Sequence, residues 1–283
     1  MPLVHPSTIL TPATQVGAGV GAFNVIQLEL AEAIIMGAEA ASQAVILQIS
    51  ENCVRYHGRL APIARACQAL GAAASIPVVV HLDHAEDIAL VHEAIDLGFD
   101  SVMYDGSRLD DVANQATTAE VTAFCHQHGV WVEAEFGEIG GKDGVHAPGV
   151  RTDPVQAAAF IAATGVDALA VAVGSSHAMT TRVAKLDFDL IARLNSALSV
   201  PLVLHGSSGV PDADLAEAVR SGMTKINIAT LLNQVFTGSV RETLAANPAL
   251  VDTRKYCSPA RAAVAEAVAS LLTILAHPEA VQP

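Results

Sequence analysis

The chain has 283 residues, 52% of them hydrophobic and only 4% aromatic, and a formal net charge of −14. Such an acidic balance argues against nucleic acid and anionic membrane surfaces as partners, since both are held by cationic patches. The apolar share can fill one large core, and the dominance of Ala, Val, Leu and Ile suits parallel strands covered on both faces better than a half-wetted sandwich.

Short apolar runs, each bounded by Gly, Pro, Ser or Asp, read as buried strands. In chain order they are GAFNV at 21–25, AVILQIS at 44–50, VVVHLD at 78–83 and SVMYD at 101–105. VWVEAEF at 130–136, ALAVAVG at 168–174, PLVLHG at 201–206 and KINIA at 225–229 follow. Helix-compatible stretches separate them at 28–42, 62–74, 87–97 and 110–128, then at 154–164, 189–198, 211–221 and 231–245. Asp153-Pro154 has the form of an N-cap followed by Pro at the first helical position, and Gly98, Gly129, Gly165 and Gly222 stand where helices stop. Strands alternating with helices in this way predict an α/β fold, a closed parallel (β/α)8 TIM barrel. It spans 1–283 as one domain with a C-terminal helical extension at 258–276. A doubly wound open sheet is the alternative. One stretch breaks the rhythm: 137–152, rich in glycine, reads as a lid loop.

The four cysteines, Cys53, Cys67, Cys125 and Cys257, form no C-x-x-C pair, which reads as reduced thiols in a cytoplasmic protein. The first residues lack a basic start leading into an apolar stretch, so no export signal is expected. The longest apolar stretch, 262–276, is interrupted by Glu266 and falls short of a membrane span of roughly 18 residues, so a soluble protein is expected.

In a barrel of this kind the chemistry sits at the carboxyl ends of the strands. His84 ends the third strand, His177 follows the sixth and His205 ends the seventh. Three imidazoles with one position left open are the donor pattern of a catalytic zinc site. His81, inside its strand, reads instead as a hydrogen-bonded interior residue. Asp83, beside His84, can pass a proton to and from a substrate hydroxyl, or else orient a ligand or cap the next helix. Glu133 and Glu135 share a facing parity and point inward, where a charge needs a partner. Glu135 reads either as an alternate metal ligand or as a residue that stands behind the ligands and orients them, and Glu133 as a structural residue paired with Lys225. Two turns of small residues have the form of phosphate cradles at helix starts: Gly206-Ser207-Ser208 after His205, and Asn227-Ile228-Ala229-Thr230 after the last strand.

In their order and spacing, VVVHLDHAED at 78–87, VEAEFGEIGG at 132–141, AVGSSHA at 172–178, LHGSSGVP at 204–211 and KINIAT at 225–230 resemble the class II, metal-dependent ketose-bisphosphate aldolases, the fructose- and tagatose-bisphosphate type. The likeness runs from GAFNV to DTRKYCSPAR at 252–261. It implies that His84, His177 and His205 hold Zn²⁺ or another divalent transition metal, with a monovalent cation as a further expectation. Asp83 would be the proton donor and acceptor. Gly206, Ser207, Ser208, Asn227, Ile228, Ala229 and Thr230 would bind dihydroxyacetone phosphate, helped by Ala178. Asn24 and Ser50 would lie beside the aldehyde half, and Arg254 would grip the far phosphate, from a neighbouring subunit of a homodimer or homotetramer. The products would be dihydroxyacetone phosphate and an aldehyde such as glyceraldehyde 3-phosphate.

The sequence departs from that family pattern at Ser207, at Ala178 where Gly is common, at 179–182 and in the lid. These changes touch substrate identity. Another phosphorylated ketose or keto acid, such as 5-dehydro-2-deoxy-gluconate 6-phosphate, is therefore one rival. A lysine Schiff-base aldolase using Lys225 and a non-catalytic sugar-phosphate-binding barrel are the others.

Overall fold

In the computed structural model, residues 2–136 and 151–278 are described; the stretch expected to form the lid therefore lies almost wholly outside the described residues. The strands close into a parallel barrel in sequence order. They are β1 (Val20–Asn24), β2 (Val45–Ser50), β3 (Val78–Ala85), β4 (Ser101–Tyr104), β5 (Trp131–Phe136), β6 (Ala168–Val171), β7 (Leu202–Leu204) and β8 (Met223–Ile228).

The helices α2 (Leu28–Ala41), α4 (Ala61–Ala73), α5 (Ile88–Asp96), α6 (Asp111–Gln127), α7 (Pro154–Thr164), α8 (Phe188–Ala197), α9 (Asp212–Arg220) and α10 (Thr230–Ala246) fall where the sequence places them, to within a residue or two. Aspartates cap many of them. The Asp87, Asp110, Asp153 and Asp187 side chains each accept a first-turn backbone N–H, satisfying donors that the helix itself leaves open. Asp87, not Asp83, caps α5, which removes one alternative role for Asp83.

Three helices go beyond the pattern read from sequence. The first, α1 (Ser7–Val16), packs Ile9, Leu10 and Ala13 against Val20, Ala22, Ile46 and Val79, closing the amino-terminal end of the barrel. The short α3 (Glu51–His57) starts directly after β2, with Ser50 Oγ accepting from Cys53 N. The last, α11 (Thr253–Ala276), begins before the expected extension. It is long and apolar enough to cross a membrane by length and composition alone. Val264, Val268, Leu271, Leu272 and Leu275, however, are buried in the same core as α2, which is the behaviour of a core helix. Each such side chain contributes about 1.5–3 kcal/mol when removed from water.

Inside the barrel, register stacks the inward residues in layers. The bottom layer is apolar, with Ile46 paired to Val79 and Ala22 beside it. One step up, Gln48 pairs with His81; above that Ser50 pairs with Asp83. The interior thus turns from oily to polar toward the carboxyl ends, where the candidate site lies.

Candidate active site

Three histidines from distant stretches of chain meet at that end. Their ring centroids are 5.1 Å apart for His84–His177, 4.7 Å for His84–His205 and 5.5 Å for His177–His205, all edge to face. Glu135 on β5 joins them, and the candidate donor atoms of all four side chains lie within 4.8 Å of one another. Three nitrogens and one carboxylate oxygen converging so closely suit a divalent transition metal.

The backbone is bent to produce this convergence. His84 has φ 48°, a left-handed conformation costly for a residue with a Cβ, and the β3–β4 register shifts between Leu82 and Ala85. Such an irregularity re-aims a side chain at a strand end. Here it sets His84 Nδ1 2.6 Å from Asp105 Oδ2, whose other oxygen accepts from Ser107 Oγ at 2.6 Å. With Nδ1 committed, Nε2 is the nitrogen that can face a metal. Burial pushes the His84 pKa down, but the carboxylates of Asp83, Asp105 and Glu135 outweigh it and lift it to about 9. The site therefore favours a positive charge at this point.

His205 is held in the opposite sense. Its Nε2 lies 3.0 Å from Glu133 Oε1 and its Nδ1 3.7 Å from Glu135 Oε2. Glu133 in turn meets Lys225 Nζ at 2.7 Å, the pairing that their inward parity suggested. His81 bonds Ser101 Oγ through Nδ1 at 2.7 Å. Burial, aided by the charge of Lys225, holds its pKa well below the usual histidine value, so it stays neutral in the barrel interior.

Asp83 stands beside the cluster, 2% exposed. Its Oδ2 accepts from Asn24 Nδ2 at 2.8 Å, and Asn24 Oδ1 accepts from Gln48 Nε2 at 2.9 Å. Oδ1 has no hydrogen-bond partner among the described residues. A cavity of about 130 Å³ opens here, and Asp83, Asn24, Ser50, His84, His177 and Ala178 line it together with Gly206, Ser208, Asn227, Ala229 and Thr230.

The first small-residue turn is built for close approach. Gly206 has φ 68°, and a Cβ there would meet Ser176 O at 2.5 Å. Ser208 Oγ accepts from Ala229 N at 3.2 Å and Leu231 N at 3.1 Å, tying this turn to the start of α10. Ala178 has φ 57°, in the left-handed region that glycine enters without the steric cost a Cβ carries.

Three expected contacts do not reach this cavity. Ser207 is buried and turns its hydroxyl onto Leu204 O at 3.0 Å, so the replacement of the usual Gly leaves no side chain in the pocket. Ile228 faces outward into the helix layer, as its place one residue from inward Asn227 requires. Arg254, 88% exposed, pairs with Asp252 at the start of α11 rather than lining the pocket of its own chain.

Conversely, several pocket residues were not singled out from sequence. A larger cavity of about 440 Å³ extends outward from His84, His177 and Asp105 to Arg55 and Arg108. Arg55 pairs with Glu51, and Arg108 Nε lies 3.3 Å from Glu86. Asp105 could have been found as the acid ending the SVMYD strand, and Gln48 as an inward polar residue two before Ser50. The arginines sit in loop-proximal positions with no periodic signal.

The family model described as fructose-bisphosphate aldolase class-II matches residues 4–279. The chain is 41% identical over 273 residues to a Bacillus subtilis protein named "Probable fructose-bisphosphate aldolase", covering 95% of each. It is 38% identical over 272 residues to the fructose-bisphosphate aldolase of Staphylococcus aureus, again covering 95% of each. Among solved structures, the YdjI aldolase of Escherichia coli K12 superposes with a TM-score of 0.86 at 31% identity, over 99% of this chain and all of that one. With the barrel and its histidine–glutamate cluster, these likenesses lead to one assignment: the chain belongs to the class II fructose-bisphosphate aldolases, a family of metal-dependent carbon–carbon lyases.

Proposed function

We propose that the protein is a zinc-dependent aldolase that reversibly cleaves a phosphorylated ketose, fructose 1,6-bisphosphate foremost, to dihydroxyacetone phosphate and an aldehyde such as glyceraldehyde 3-phosphate. The observation that carries this reading is the convergence of His84, His177, His205 and Glu135 next to a buried carboxylate, Asp83, which lines the adjoining cavity and has one oxygen without a hydrogen-bond partner among the described residues.

His84, His177, His205 and Glu135 would hold the cation, which when bound supplies the Lewis acidity that stabilises negative charge developing at the ketone oxygen. Asp83 Oδ1 takes the proton from the hydroxyl at the bond to be broken and returns it in condensation. Asn24, itself held by Gln48, fixes Oδ2 and so aims Oδ1. The backbone at Gly206, the region of Ser208 and the N-terminus of α10 would receive the phosphate of the dihydroxyacetone half, with Asn227, Ala229 and Thr230. Ser50 and Asn24 would face the aldehyde half. Arg254, exposed in one chain, would reach the far phosphate from a neighbouring subunit in a homodimer or homotetramer. A cytoplasmic setting accords with the free cysteines, of which Cys53, Cys67 and Cys125 are buried.

The metal reading is favoured over a Schiff base because Lys225, the described lysine that lies in a strand, is buried against Glu133 below the cavity, where no carbonyl can reach it. A cleavage assay on fructose 1,6-bisphosphate, tagatose 1,6-bisphosphate and 5-dehydro-2-deoxy-gluconate 6-phosphate tests the proposal. Turnover of the fructose ester should vanish with chelator and return with Zn²⁺. Turnover indifferent to chelator, or trapped by borohydride, would sink it.

A further inference from the structure

Beneath the ligand cluster lies a second group of buried side chains that this chemistry leaves without a role. Glu133 on β5 and Lys225 on β8 meet across the barrel interior with Nζ 2.7 Å from Oε2, and both side chains are at most 2% exposed. The remaining oxygen, Oε1, is 3.0 Å from His205 Nε2. Taking two such ions out of water costs several kcal/mol each, and an apolar pair of equal volume is commonly as stable or more so. Fold stability therefore does not account for the pair.

We propose that Lys225 and Glu133 are positioning residues that fix the tautomer and orientation of His205 and thereby strengthen metal binding; this deepens, and rests on, the metal reading above. A neutral imidazole carries one N–H. A carboxylate at Nε2 takes that N–H as its donor, so the lone pair falls on Nδ1, the nitrogen that lies 3.7 Å from Glu135 Oε2 on the side of the donor cluster. Without the carboxylate the two tautomers compete, and in one of them Nδ1 cannot bind a cation.

Lys225 gives the second oxygen a charged partner and so holds Glu133 in the rotamer that turns Oε1 to the histidine. The other group facing Glu133, His81, approaches Oε2 only to 3.9 Å, and its own Nδ1 is spent on Ser101. His84 is braced on the same principle by Asp105, from the rim instead of the interior. Partners of this kind typically change metal affinity about 10–100-fold.

Two double variants of the full-length protein test the idea, E133L/K225M and E133Q/K225M, each removing both charges so that no lone ion is stranded. The readout is the Zn²⁺ dissociation constant from competition with a chromophoric chelator, alongside circular dichroism and the melting temperature of the metal-free protein. E133L/K225M should bind Zn²⁺ about 10–100-fold more weakly than wild type, and E133Q/K225M, which keeps an acceptor near Nε2, should recover part of the loss. Wild-type affinity in E133L/K225M overturns the proposal, as does equal loss in both variants, since the defect would then be one of packing. Should either variant fail to fold, a crystal structure of the zinc-loaded wild type decides. Coordination through His205 Nδ1 with Glu133 on Nε2 upholds the proposal, and coordination through Nε2 overturns it. A wild-type protein that binds no Zn²⁺ at all would instead sink the metal reading itself.

Discussion

Asn24 donates to one oxygen of Asp83, Oδ2, and leaves the other, Oδ1, without a hydrogen-bond partner among the described residues. A carboxylate free to spin would present either oxygen and would average its geometry; this one is pinned. Asp83 also stands outside the set of side chains whose donor atoms converge. Replacing Asp83 with Ala should thus lower kcat about 10²–10⁴-fold, the usual worth of a positioned acid or base, while zinc stoichiometry stays at the wild-type value. Unaltered turnover in the variant would remove Asp83 from the reaction.

Gln48 lines the same cavity and is hydrogen-bonded to Asn24, which in turn holds Asp83. Its removal should cost roughly one hydrogen bond of orientation, about 1 kcal/mol, or about fivefold in kcat/KM for Gln48→Leu. The checks are steady-state kinetics and a zinc titration. A loss as large as that from Asp83→Ala would show Gln48 acting on substrate directly.

The raised pKa of His84 predicts a pH signature of the metal-free protein. A group charged more readily when folded stabilises the fold fully below its unfolded pKa of 6.5, and that stabilisation is lost as pH rises through the folded value of about 9. Thermal melts of the metal-free enzyme should therefore decline across this window. In zinc-saturated protein the cation replaces the proton, and this part of the slope should disappear. Parallel profiles with and without zinc would count against His84 as a ligand.

Two backbone positions near the pocket should respond in opposite directions. Ala178 sits at φ 57°, so Ala178→Gly relieves a left-handed Cβ at the expense of a floppier unfolded chain. The expected net gain is about 0.5–1 kcal/mol, seen as a rise in Tm of about 1–3 °C. Gly206→Ala, by contrast, drives a Cβ to within 2.5 Å of Ser176 O and should raise KM for the phosphorylated substrate. A Gly206→Ala enzyme with wild-type KM would argue that this turn does not hold phosphate.

The barrel was legible from sequence because both faces of a parallel strand are buried: AVILQIS and VVVHLD stand out as apolar blocks ended by chemistry-bearing residues. The histidine cluster was legible for the same reason, since in a barrel of this kind the chemistry-bearing residues stand at strand ends. Less visible was α1, whose start at Pro6 has no side-chain cap and which carries Pro12 within it. Ile228 shows a missed inference of another kind: alternation alone puts it opposite Asn227 and therefore away from the pocket. Arg55 and Arg108 owe their place at the outer cavity to tertiary folding, which no local spacing encodes.

The segment that runs ahead of the first strand has a practical consequence. Pro2 O receives Val78 N at 2.7 Å, and Leu3 bridges to Val78, so the leading residues are stitched to the start of β3, on the floor opposite the histidines. A protein tethered to a support or fused to a carrier through that end would keep its catalytic mouth pointing outward, with substrate free to diffuse in.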